Sequence, residues 1–365
     1  MNAGTRGFMR VSTPESMRSQ GASGLHQKGT GSRRSGRAIA WAVARLCVLA
    51  TLGAMAACAQ AQEREWAPMR AMRLVVPQAA GGGADAIGRI IAGGLAERLG
   101  NPVVVEDHPG ANGNLGVEVM MRAPADGHTL LLAYTSLVAL NPAVYSKVSY
   151  DPVRDFTALG MVCDMAMVFV ASASVAASSV PEFIAAAKAQ PSLYFAASSG
   201  NGAFSHLLIE MFNARTGAQL THVPYKGEGP AMQDLIGDRS RLVLFSTAAS
   251  AVAQVRGGRV KGLGVTGARR SDQLPGLATF QEQGVSDINE SFWYGLVVPA
   301  ATPAAAAAVL ERELAAAGNS PGFRQALARL GCTPFSTTGA SLAARISTDL
   351  AKYSAIARSV GMRID

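Results

Sequence analysis

The chain has 365 residues, 49% of them apolar and 16% charged, which is enough for two α/β domains and a sizeable core. Its formal charge of +8 points superficially to nucleic acid, but residues 1–61 carry eight of the 33 Lys/Arg and one of the 25 acids, leaving 25 bases against 24 acids and a net of +1. Nucleic-acid binding needs clustered Lys/Arg to displace counterions, so the body of the chain excludes that class of function.

The first segment reads as a targeting signal. Arg33, Arg34 and Arg37 precede an apolar run over 46–57, and Ala59-Gln60-Ala61 supplies small residues for cleavage before Gln62. The run is too short for a comfortable membrane span. A signal peptide over 1–61 therefore predicts a mature protein in the periplasm. Cys58, after Met55-Ala56-Ala57, offers lipid anchoring as the alternative. Cys163 and Cys332 remain in the body. In an oxidising compartment they are able to pair, and two buried, unpaired thiols fit equally well.

Beyond residue 72, short apolar runs alternate with amphipathic stretches, the rhythm of a largely parallel sheet with helices. The pattern predicts strands at 73–76, 103–105, 129–133, 167–170, 194–197, 241–245, 260–265 and 293–298. Helices are expected over 85–99, 113–121, 180–189 and 204–215, through the 304–308 alanine run, and over 340–358. No period of 20–50 residues recurs, which excludes a solenoid.

The first strand runs into Pro77-Gln78-Ala79-Ala80-Gly81-Gly82-Gly83-Ala84-Asp85. Free N–H groups at a helix start, together with the positive end of its dipole, make an anion site, and glycines let the ligand approach the backbone. Gly81, Gly83 and Ala86 also satisfy a loose dinucleotide fingerprint, with Glu106 in the ribose position, so a dinucleotide-binding oxidoreductase is a distant alternative. Asp85 argues against it by placing a carboxylate where a pyrophosphate would sit. A second polar turn, Ser198-Ser199-Gly200-Asn201-Gly202, again links a strand to a helix. Two such turns suit a cleft closed by two domains.

The ordered motifs extend over most of 72–361. They include Val76-Pro77 through Asp85, Pro109-Gly110-Ala111-Asn112-Gly113-Asn114, Asp126-Gly127-His128-Thr129-Leu130 and Tyr150-Asp151-Pro152. His222-Val223-Pro224-Tyr225-Lys226-Gly227 is the most distinctive, and Trp293-Tyr294-Gly295 closes the series. In these the chain resembles the Bug receptors, the extracytoplasmic solute receptors of tripartite tricarboxylate transporters. The resemblance implies an α/β, type II periplasmic-binding-protein fold: two α/β lobes joined by two crossover strands with a ligand cleft between them. Lobe 1 would comprise 62–165 and 292–365, lobe 2 would comprise 166–291, and the crossovers would fall near 162–170 and 291–298.

Carried onto this sequence, the resemblance implies a small carboxylate held by Gln78, Ala79, Gly82, Gly83, Ala84 and Asp85 of one lobe. Ser198, Ser199, Gly200 and Gly202 would hold it from the other, with Tyr134 and Ser136 contributing after the third strand. Family members often carry an Asp after the strand at 241–245, where this chain has Ser246 and Thr247. That departure favours a plain mono- or dicarboxylate over an amino acid. The implied partners are transporter membrane subunits or, alternatively, a sensor kinase, and the protein is expected to be a monomer. His108, His128, His206 and His222 lack metal-ligand spacing, and no Gly-x-Ser-x-Gly elbow occurs. The sequence therefore predicts no metal, no cofactor and no enzymatic activity. Lys226 is expected to border the cleft without acting as a nucleophile.

Overall fold

The computed structural model describes residues 66–238 and 241–364. The expected signal peptide, its cleavage site and Cys58 lie outside the described residues. In chain order, β1 (Met72–Val76) leads through the glycine turn into α1 (Gly83–Leu99), followed by β2 (Val103–Asp107). A single 3-10 turn, Ala111–Gly113, opens α2 (Asn114–Arg122), and β3 (Thr129–Tyr134) follows. A π-turn, Ser136–Leu140, runs into the short α3 (Asn141–Val144). β1 and β3 are apolar almost throughout because they are parallel neighbours covered on both faces.

The strand β4 (Phe156–Ala171) is 16 residues long and organises the rest. Its first part, up to Ala166, pairs antiparallel with β9 (Ser291–Pro299), which in turn pairs with β3. From Met167 its partner is instead β7 (Leu242–Thr247), with β8 (Lys261–Val265) on its other edge. β5 (Phe195–Ser198) and β6 (Thr221–Pro224) extend that second half in parallel. Strand order is thus β2-β1-β3-β9-β4-β7-β5-β6, with β4 common to two sheets. Periodicity reveals only the end of β4. Its earlier part carries Gly160 and Asp164 and shifts register twice against β9, which breaks a simple alternation.

The second half carries α4 (Val180–Ala189), α5 (Phe204–Thr216), α6 (Glu228–Gly237) and α7 (Ala248–Arg256). After β9 the chain adds α8 (Ala304–Asn319), α9 (Pro321–Arg329), the two-residue β10 (Thr333–Pro334) and α10 (Gly339–Ser359). β10 pairs with β4, and beside it Cys163 and Cys332 form a disulfide across a Cα separation of 5.7 Å. Of the two readings open for these cysteines, the structure shows the paired one. α10 anchors to the neighbouring strand through Asp349, which accepts from Trp293 Nε1 at 2.7 Å and from Arg345 Nε at 2.7 Å.

Candidate functional site

A cavity of about 940 Å³ lies between the two sheet halves. Helix starts form its wall: Gly83 and Ala84 of α1, the turn to Gly113 before α2, Phe204 and Ser205 of α5, Glu228 and Gly229 of α6, and Ala249 and Ser250 of α7. The first N–H groups of any helix have no partner within it. At these five helices the N-cap residues are Gly82, Gly113, Ala203, Gly227 and Thr247, and none supplies a side-chain cap. Elsewhere Ser179 caps α4, Ser320 caps α9 and Thr338 caps α10, while α3 and α8 also start without a side-chain cap. The helices aimed at the cavity thus direct the positive ends of their dipoles towards it.

Close approach explains the glycine at position 83. A Cβ there would stand 3.1 Å from the Ala249 Cβ of the opposite half, so α1 and α7 almost touch across the cavity. β9 contributes by alternation: Phe292 and Tyr294 face the cavity while Trp293 turns into the core. Burial holds the phenols of Tyr134 and Tyr294 far above their usual range, so both are neutral donors. Tyr134 Oη donates within reach of the Pro77 carbonyl at 3.3 Å and the Asn112 carbonyl at 3.2 Å.

Of the residues expected at the site, Gln78, Ala79, Gly82, Gly83, Ala84, Tyr134, Ser136, Ser199 and Thr247 line the cavity, as does Lys226. The others stand behind it. Asp85 is buried, accepts from the Gly81 N–H at 2.8 Å and pairs with Arg89 at 2.7 Å, so it braces the glycine turn. Ser198 is wholly buried and meets His222 Nε2 at 2.6 Å, while the Gly202 N–H donates to His206 Nδ1 at 3.2 Å. The two imidazoles stack with centroids 3.8 Å apart, a support under the turn that no sequence spacing announces. Gly200, at a φ of 139°, supplies the bend, and Ser246 turns its hydroxyl to Glu228.

Asn112 and Glu228, both on the wall, were not foreseen as site residues. Asn112 crosses the cavity, donating from Nδ2 to the Gly202 carbonyl at 3.0 Å, and the Tyr145 hydroxyl reaches the Asn201 carbonyl at 3.2 Å. Glu228, the first residue of α6, directs its carboxylate at the start of α7. There it accepts from Ser246 Oγ at 2.6 Å, the Thr247 N–H at 2.6 Å and Thr247 Oγ1 at 2.9 Å. Burial raises its pKa above the usual carboxylate range, and these donors together with Ser250 offset only part of that rise. Where the family's Asp is replaced by Ser246 and Thr247 at the end of β7, α6 thus supplies a carboxylate instead. The only sequence signal was an acid between two glycines just beyond Tyr225-Lys226.

Two α/β halves sharing a strand, with uncapped helix starts converging on the cavity between them, define a two-lobed solute-binding protein. The chain belongs to the tripartite tricarboxylate transporter family receptors, whose family model matches residues 87–362. It is similar to Protein BugT of Bordetella pertussis, with 30% identity over 298 residues, 81% of this chain and 91% of that protein. Among solved structures it is similar to the periplasmic binding protein BugD (30% identity, TM-score 0.76, 81% of this chain and 99% of that one). A second is an R. palustris protein solved with adipate (29% identity, TM-score 0.77, 81% and 99%). A third is MatC from Rhodopseudomonas palustris with bound malate (27% identity, TM-score 0.74, 79% and 99%). The protein is thus a solute receptor of periplasmic-binding-protein fold and not an enzyme. Glu106, the ribose-binding candidate of the dinucleotide alternative, is engaged by Arg73 in a two-point ion pair.

Proposed function

We propose that the protein captures a small carboxylate in the periplasm and delivers it to the membrane subunits of a tripartite transporter, acting as a monomer. The observation that carries this reading is the convergence of helix starts on one cavity, with those of α1, α2 and α5 left open. A carboxylate there receives main-chain N–H groups and the positive ends of helix dipoles without needing an arginine. Gly82, Gly83 and Ala84 would bind from one lobe, with Tyr134 and Ser136 beside them, and Ser199 from the other, where Thr247 lines the wall with its donors turned to Glu228. Asp85, Ser198, Gly200, Gly202 and Ser246 would act by holding those groups in place. The lobes, 62–165 with 292–365 and 166–291, would rotate about β4 and β9, and the closed form would be the one the transporter recognises. Adipate and malate in the R. palustris neighbours support the carboxylate class.

A thermal-shift panel of mono-, di- and tricarboxylates, amino acids and neutral sugars tests the reading. A carboxylate at about 100 times its dissociation constant adds roughly 2.7 kcal/mol of stability. Stabilisation by sugars alone sinks the proposal.

A further inference from the structure

Glu228 makes the cavity electrostatically lopsided. The starts of α1, α2 and α5 present amides with no acid set among them on the cavity side, since Asp85 is turned back onto Gly81 and Arg89. The start of α7 is different. Its N-cap, Thr247, already gives its N–H and its hydroxyl to the Glu228 carboxylate, and Ser246 adds a second hydroxyl. This anion site is thus filled from within the protein.

The partners of Glu228 are all neutral. Hydrogen bonds satisfy its oxygens, but nothing in that set cancels its charge, and a carboxylate removed from water without a counter-charge is costly. A ligand carboxylate beside it meets like-charge repulsion, whereas an ammonium there gains an ion pair. Glu228 lines the cavity, so a ligand can reach this wall.

We infer that Glu228 is a specificity-determining residue that selects a carboxylate carrying an ammonium group and rejects the corresponding dicarboxylate. The inference rests on the carboxylate-receptor reading and narrows it. The ligand's carboxylate occupies the open starts of α1, α2 and α5, and its ammonium lies against Glu228. The substrate class is then amino acids or other amino carboxylates, in contrast to the plain acids that Ser246 and Thr247 alone suggested.

The test uses the full chain and two probes of equal chain length, 4-aminobutyrate and glutarate, which differ in bearing an ammonium or a second carboxylate. Isothermal titration is expected to show the amino acid binding at least about tenfold more tightly, the worth of roughly one charge-assisted hydrogen bond. Glu228→Gln is expected to erase or invert that ratio. Glutarate binding as tightly as 4-aminobutyrate, or tighter, overturns the inference and leaves the carboxylate reading standing. A ratio unchanged in Glu228→Gln overturns the assignment to this residue. Binding of none of these acids, nor of succinate, overturns the carboxylate reading and the inference together. The wild-type comparison decides the ligand class by itself should the variant fail to fold.

Discussion

Asn112 donates across the cavity to the carbonyl oxygen of Gly202, ninety residues further along the chain. Asn112 sits at a φ of 52°, a left-handed conformation that asparagine tolerates well, and its amide also reaches Asn141 Oδ1 at 2.6 Å. The contact joins the two turns on either side of the cavity. Under the proposed rotation of the lobes, it would serve as a latch of the closed form.

Asn112→Gly keeps the left-handed backbone and removes the amide. One net hydrogen bond is worth about 0.5–1.5 kcal/mol, so ligand affinity is expected to fall roughly two- to tenfold, mostly through faster release. Stopped-flow dissociation checks this. An unchanged release rate would mean that the latch does not hold the liganded state.

Gly202 has a φ of 78°, and a Cβ there would stand 2.9–3.1 Å from the ring of Tyr145. Gly202→Ala is expected to cost about 1–3 kcal/mol from backbone strain alone, plus the clash. Thermal melts of Gly202→Ala with Tyr145 present and with Tyr145→Ala separate the two contributions. The clash part disappears in the double variant, and equal costs in both backgrounds would show that the ring gives way freely.

Acid should loosen the turn that Gly202 belongs to. Burial, and then the charge of His206, lower the His222 pKa from 6.5 to about 4. The unfolded chain takes up that proton first, so stability present above pH 6.5 declines as pH falls towards 4 and this contribution is flat below. The shift corresponds to roughly 3 kcal/mol before solvent screening, and about 1 kcal/mol is expected for a half-buried ring. Glu210, held low mainly by its hydrogen bond to His206, acts in the same direction below its ordinary value of 4.5. Melting temperatures between pH 7.5 and 4.5 should slope downwards with acid, and His222→Gln should flatten the slope.

Reducing the Cys163–Cys332 bond opens a loop of 169 residues. Loss of roughly 2–5 kcal/mol is expected, visible as a lower melting temperature with reductant or in Cys163→Ser with Cys332→Ser. The same melting temperature with and without reductant would refute a stabilising role.

Local chemistry made much of this legible in the sequence. The glycine turn at 81–83 and the turn around Gly200 and Gly202 demand backbone conformations or close approaches that few other residues allow. Buried parallel strands such as β1 and β3 appear as unbroken apolar runs, and the 180–189 helix announces itself by Ser179 and Pro181 at its start. What remained hidden depends on contacts distant in sequence. The roles of Asp85 and Ser198 turn on which way a short side chain points. The stack of His206 on His222 joins α5 to β6, and Glu228 reaches Thr247 from another helix. Neither partnership leaves a trace in spacing or periodicity.

β4 belongs to both sheets, changing partners between Ala166 and Met167. Side chains on a strand alternate faces with a period of two, so inserting or deleting one residue inverts every face downstream. In most proteins that error spoils one sheet. Here the far side of the strand carries Phe169 against Phe245 and Phe183, and the near side carries the pairing that fixes β9 and the disulfide. The length of this one segment is therefore the dimension along which the protein is least free to vary, and changes in size are expected to gather in the surface loops instead.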